Sequence, residues 1–229
     1  MNLTSYVSIF CLFSRLQLYF LSIVDILPDM SKQLKIGLLD SGIGGFTLLR
    51  ELIILCPSSV EVQWNYVADD LYAPYGLLSA ERVGQRTLFI GEKLVRAGVD
   101  LVVVACNTAT AYGIGALRKK FPDIPFVGVE PYLNVLHREP ELLQKGEGTA
   151  VLTTEMMSRS PRFSQLIERF DPNRNMTYYS CSQLASLIEQ AYASSLPENS
   201  HSLCLPWVSR LDDECGFLRY NGHRQVILG

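Results

Sequence analysis

From Lys35 onward the chain alternates short, nearly continuous apolar runs with longer stretches of helical periodicity, and few architectures accommodate that alternation. A strand buried on both faces reads as an unbroken apolar run, and the amphipathic stretch after it is the crossover helix that returns the chain to the next parallel strand. Residues 34–39, 62–68, 101–105 and 125–129 read as four such strands. Residues 45–55 read as a helix with Leu48, Leu49, Leu52 and Ile53 on one face, stopped by Pro57. Ser79 is placed to cap a helix over 80–97 that Gly98 ends in the left-handed conformation, and Thr108 to cap another over 109–120. The pattern continues with strands at 149–153 and 176–180 and with a helix opened by Ser160-Pro161, whose buried face is Phe163, Leu166, Ile167 and Phe170. A helix at 183–192, a loop at 196–202, a helix at 207–220 and a strand at 224–229 complete an expected α/β fold.

Bulk composition narrows the function. The 229 residues are 48% hydrophobic and 19% charged with a net charge of -3, so no basic excess exists to hold a phosphate backbone, and a small substrate is expected rather than nucleic acid. The six cysteines (Cys11, Cys56, Cys106, Cys181, Cys204 and Cys215) contain no Cys-x-x-Cys pair and no histidine at metal-ligand spacing. No metal site, reduced thiols and a cytoplasmic location are expected. Residues 1–29 are an apolar extension of different character. They lack the basic start and small-residue cleavage site of a secretory signal, and Arg15 and Asp25 interrupt any spanning helix, so no membrane partner is expected. Met30 precedes the first strand closely enough to be the natural start, with an interfacial helix over 1–29 as the alternative.

The residues able to do chemistry fall at the ends of the strands, where open α/β sheets bind ligands. The run Leu101-Val-Val-Val-Ala-Cys-Asn-Thr-Ala-Thr110 delivers a thiol, an amide and a hydroxyl there. Cys106 at the positive end of the following helix is expected to have its pKa lowered toward that of a base or nucleophile, although a buried structural cysteine fits the same position. Asp40-Ser41-Gly42-Ile43-Gly44-Gly45 follows the first strand, but Thr47 stands where a dinucleotide fingerprint needs glycine, and no Gly-Lys-Ser/Thr follows. The glycines are expected to bring backbone amides near a small anion, with Asp40 and Ser41 facing the ligand; capping of the turn is the other role open to Asp40. In the loop from Ala68 to Gly76, the backbone of Tyr75 and the Gly76 N–H are placed to clamp a carboxylate, while Asp69 and Asp70 read equally well as a solvated turn.

Taken together and in order, Asp40-Ser41-Gly42-Ile43-Gly44-Gly45, Pro74-Tyr75-Gly76, Ala105-Cys106-Asn107-Thr108-Ala109 and Gly128-Val129-Glu130-Pro131 resemble the aspartate/glutamate racemase superfamily, the glutamate racemases in particular. The resemblance implies two similar lobes, here 30–130 and 131–229, each a mostly parallel sheet flanked by helices, with the active site in the cleft between them. It implies cofactor-independent interconversion of L- and D-glutamate by two thiols on opposite faces of the α-carbon, supplying D-glutamate for peptidoglycan biosynthesis in a bacterial cytoplasm, in a family whose members commonly form homodimers. Cys106 would be the base for one enantiomer, with Asp40 supporting its proton transfer. Asp40, Ser41, Tyr75, Gly76, Asn107 and Thr108 would hold the amino acid, and Thr153 or Thr154 would add a hydroxyl from the second lobe.

In the family the second thiol begins a Cys-Thr-His-Tyr motif after a strand ending in Leu-Gly. Val226-Ile227-Leu228-Gly229 closes this chain, so the expectation is a second lobe cut short one residue before that cysteine. Cys181, Cys204 and Cys215 lack the context to replace it. Three readings follow: a racemase with a shortened C-terminus, a half-site that binds glutamate and exchanges its α-proton on one face, and a non-enzymatic fragment. An aspartate racemase-like member is the alternative within enzymes, and the pairing of Asp-Ser-Gly-x-Gly-Gly with Pro-Tyr-Gly favours glutamate.

Overall fold

The computed structural model describes residues 33–131, 133–138, 148–194 and 223–228; the readings over 1–29, 196–202 and 207–220, and Cys204 and Cys215, lie outside them. The described residues form two units. The first holds those up to Leu71 together with Ala80–Val129, and the second holds Tyr72–Ser79 and those from Glu130 onward.

The first unit runs β1 (Leu34–Asp40), α1 (Gly45–Leu55), β2 (Val62–Ala68), α2 (Ala80–Arg96), β3 (Leu101–Val104), α3 (Asn107–Lys120) and β4 (Phe126–Gly128). The sheet order is β2-β1-β3-β4, and all pairings are parallel, as the apolar runs require. In register, Leu38 lies beside Tyr66 on one side and Val103 on the other. Strand alternation divides the core between two faces. Ile36, Leu38, Leu101 and Val103 bury one face against Leu52 of α1. On the other, α2 comes so close that a Cβ on Gly37 would stand 3.1 Å from a Leu94 methyl. Ile53 does not join this core: it is 49% exposed, because one residue beyond Leu52 turns the side chain about 100° away. Two glycines let α2 and α3 approach closely, Gly113 facing Thr87 and Gly91 facing Leu117. Gly98 ends the α2 segment at φ +78°, as its position predicts.

In the second unit, α4 (Leu133–Arg138) precedes β5 (Gly148–Thr153), α5 (Glu155–Ser158), α6 (Pro161–Phe170), β6 (Met176–Ser180), α7 (Leu184–Ser194) and β7 (His223–Leu228). The order is β6-β5-β7, again parallel. Ser160 caps α6 as expected: its hydroxyl oxygen accepts the Phe163 N–H at 3.0 Å, and Pro161 sits in the first turn. Phe163, Leu166 and Ile167 are buried, while Phe170 is half-buried at the helix end. Buried Asp171 then ties the α6–β6 turn, accepting from the N–H groups of Asn175 and Met176 and from the Tyr178 hydroxyl. Ser160→Ala removes a buried cap and is expected to cost about 1 kcal/mol, lowering the thermal midpoint by about 2–4 °C in calorimetry.

Candidate active site

The first unit gathers Asp40, Ser41, Cys106, Asn107 and Thr108 where β1 and β3 end. The chain leaves β3 at Val104, and the Ala105 N–H makes one further bond across to the Leu39 carbonyl. Helix α3 then starts at Asn107, two residues before the sequence suggests, and its N-cap is Cys106 rather than Thr108. The sulfur takes the capping role of an oxygen, accepting the Ala109 N–H at 3.4 Å. Thr108 lies buried within the first turn.

The helix end does act on the thiol in the expected direction, but it does not prevail. Backbone N–H groups of Ala109 and Thr108 and the Ser41 hydroxyl all favour the thiolate. Burial opposes them most strongly, followed by the charge of Asp40, and together these push the Cys106 pKa up to about 11. The expectation of a lowered pKa is therefore corrected: in the free protein this thiol keeps its proton at neutral pH. The amide oxygen of Asn107, next along the helix, is buried without a hydrogen-bond partner.

Asp40 explains why the glycine turn is not an open anion cradle. Its own Oδ2 accepts from Gly45 N–H at 2.8 Å and from Gly42 N–H at 3.4 Å, so a carboxylate of the chain occupies amides that the sequence assigns to a ligand. Asp40 thus caps the turn and also acts electrostatically on Cys106. Gly45 has no room for a side chain, since a Cβ there would stand 2.8 Å from the Tyr66 hydroxyl and 2.9 Å from the Asp40 Cβ. Burial raises the Asp40 pKa above the usual carboxylate range, against the hydrogen bonds that lower it.

Tyr75 and Gly76 belong to the second unit and form a short 3-10 turn, Tyr75–Leu77, after a cis Ala73–Pro74 peptide. Tyr75 is buried, and its carbonyl accepts from Leu78 N–H. Gly76 packs flat on Thr154, whose Cβ would lie 2.7 Å from an added Cβ. Thr154 caps α5 through Met157 N–H, while Thr153 is buried at the end of β5. Glu130 of the Gly128–Pro131 motif pairs with Arg162 through two hydrogen bonds. Cys181 follows β6 with its N–H on the Thr153 carbonyl, and its side chain packs on the Ala150 and Leu152 core.

Asp69 is not part of a solvated turn. It is buried and held by both arms of the Arg86 guanidinium at 2.6 and 2.8 Å, whereas Asp70 is exposed and caps Leu71. The sequence reading missed Arg86 because a partner 17 residues away on a helix leaves no local pattern. It also missed Tyr66, whose hydroxyl reaches the Asp40 turn; inward alternation along β2 was the available signal. Among the described residues, no three His, Cys, Asp or Glu side chains converge as a metal site needs. None of the described helices is long and apolar enough to cross a membrane.

Asp40→Asn offers a direct check of these electrostatics. Removing the neighbouring negative charge lowers the thiol pKa, and at pH 8 the thiolate fraction rises about tenfold for every 1.4 kcal/mol of repulsion relieved. Alkylation of Cys106 by iodoacetamide at pH 8, followed by peptide mass spectrometry, is expected to accelerate severalfold or more.

Known proteins are similar to this chain in sequence and in fold. No family model matches the chain. Over 154 residues it is 34% identical to the glutamate racemase of Clostridium acetobutylicum, covering 67% of this chain and 57% of that protein. Over 155 residues it is 36% identical to the glutamate racemase of Pseudomonas aeruginosa, covering 67% of this chain and 56% of that one. Over the matched residues the chain is similar in sequence to glutamate racemases. The structure of the Escherichia coli glutamate racemase in complex with L-glutamate and the activator UDP-MurNAc-Ala superposes with a TM-score of 0.67 at 26% identity, covering 86% of this chain and 69% of that one. The chain spans less than two thirds of the length of either of these two glutamate racemases.

Proposed function

We propose that this chain carries the thiol chemistry of a cofactor-independent glutamate racemase, with Cys106 as the base at the α-carbon. The observation that supports this most is the setting of the thiol: the Ala109 N–H bonded to its sulfur at the start of the helix, the Asp40 carboxylate acting on it, and the unpartnered Asn107 amide oxygen on the same helix turn. In the proposed step the Cys106 thiolate takes the α-hydrogen as a proton. The C–H bond breaks, an S–H bond forms, and the electron pair stays on the α-carbon next to the substrate carboxylate. Return of a proton to the same face gives exchange; delivery by a second thiol to the opposite face gives the other enantiomer.

A thiol with a pKa of about 11 needs activation, and the substrate brings it. The ammonium group of glutamate suits Asp40 and the Asn107 oxygen, and a positive charge there offsets the carboxylate charge that keeps Cys106 protonated. Ser41 and Thr108 complete the first unit's contacts. Tyr75 and Gly76 are the proposed carboxylate contacts of the Pro74-Tyr75-Gly76 motif. The wider role proposed is supply of D-glutamate for peptidoglycan in a bacterial cytoplasm, by a chain that pairs with a second copy.

Substrate choice is tested by protection. L- or D-glutamate at millimolar concentration should slow alkylation of Cys106 while leaving Cys56 unaffected, and aspartate should protect less. Equal protection by aspartate would move the assignment to an aspartate racemase-like activity, and no protection by either would remove the amino-acid site.

A further inference from the structure

Asp40 is held by more than its own turn. Tyr66 projects from β2 with its ring stacked on Phe46 at 4.1 Å between centroids, which fixes where its hydroxyl can reach. That hydroxyl donates to the Gly42 carbonyl at 2.8 Å and stands 3.4 Å from Asp40 Oδ2. It has one proton for two acceptors, and a rotation about its C–O bond moves that proton from one to the other. An ionised Asp40 draws the proton toward itself, and a neutral Asp40 leaves it with Gly42. The missing side chain of Gly45 keeps this contact open, because a Cβ there would collide with the hydroxyl.

We propose that Tyr66 is a positioning residue for Asp40: its hydroxyl holds the carboxylate on the Ser41–Gly45 turn and follows changes in its protonation while Cys106 exchanges its proton. This role rests on the reading of Cys106 as the base. Among the described residues, the titratable groups coupled to Asp40 are Tyr66 from β2, whose hydroxyl reaches it, and Cys106 at the end of β3, on which its charge acts. The sign of the effect follows from the chemistry. A hydrogen bond donated to the carboxylate favours its charged form, so losing the donor moves the Asp40 titration to higher pH and strengthening the donor moves it to lower pH.

The test uses the full chain carrying carboxyl-13C aspartate, with the Asp40 signal assigned by its loss in Asp40→Asn. In Tyr66→Phe, which keeps the ring on Phe46, the Asp40 midpoint should move to higher pH. The rate constant for glutamate α-hydrogen exchange should fall about tenfold while KM changes by less than about twofold, as for a misplaced catalytic group. Adding Tyr66→Phe to Asp40→Asn should change the exchange rate no further. Should Tyr66→Phe fold poorly, 3,5-difluorotyrosine placed at position 66 keeps the packing and gives a stronger donor, and the Asp40 midpoint should then move to lower pH. An Asp40 midpoint unmoved by either change would overturn the role of Tyr66. Absence of exchange in the unaltered protein would instead overturn the reading of Cys106, and the titration would still decide whether Tyr66 controls Asp40.

Discussion

Cys106→Ala should lower the rate of α-hydrogen exchange in glutamate by about a thousandfold, the scale of losing a positioned proton-transfer group. Cys106→Ser should lose nearly as much. Serine preserves the N-cap acceptor for Ala109 N–H and the local shape, but its hydroxyl does not ionise at any accessible pH. Cys106→Ser, which keeps the cap and the shape, should unfold near the temperature of the unaltered chain, and Cys106→Ala, which loses the acceptor for Ala109 N–H, only about 2–4 °C lower, for about 1 kcal/mol. Activity and fold therefore separate. If the serine variant exchanged glutamate at a tenth of the normal rate or better, the thiol would not be the base.

Arg86→Ala should have the largest effect on stability. Asp69 is 5% exposed, and its carboxylate is held on both oxygens by the guanidinium, so truncating the partner leaves a buried charge without it. Breaking a buried pair from one side costs about 3 kcal/mol, which corresponds to a fall of about 6–12 °C in midpoint for a chain of this size. Arg86 also lies over the Phe89 ring at 4.8 Å, and truncation loses that contact as well. Arg86→Lys should recover only part of the loss, since an ammonium cannot form the two-pronged bond. The double change Asp69→Leu with Arg86→Met should be far less damaging than Arg86→Ala, because no charge is then left behind. The consequence reaches the candidate site: Asp69 N–H bonds the Asp40 carbonyl, so this pair anchors the chain beside the residue next to Cys106.

How much of this could be read in advance depended on the range of the forces involved. Helix α1 and strands β2 and β6 begin and end where the apolar pattern places them, since local periodicity and the breaker residues around them carry that information. Ser160 caps α6 for the same reason: the cap and its donor lie three residues apart. The strand ends were legible too, and Asp40, Ser41, Cys106, Asn107 and Thr108 do meet there. What escaped was set by contacts distant in sequence. The helix dipole on Cys106 could be anticipated from the strand-to-helix turn, but its burial and the charge of Asp40 outweigh it. The turn amides looked available for a ligand because nothing local reveals that the Asp40 side chain folds back onto them. The excursion of Tyr72–Ser79 into the second unit rests on packing such as Gly76 against Thr154, which no period in the sequence encodes.

The most direct test is to incubate the full chain with L-glutamate, and separately with D-glutamate, in D2O near neutral pH and to follow the α-proton by NMR. Loss of that signal for at least one enantiomer, abolished by Cys106→Ser, is the expected result. A folded chain that binds glutamate yet leaves the α-proton of both enantiomers untouched would contradict a catalytic role for Cys106.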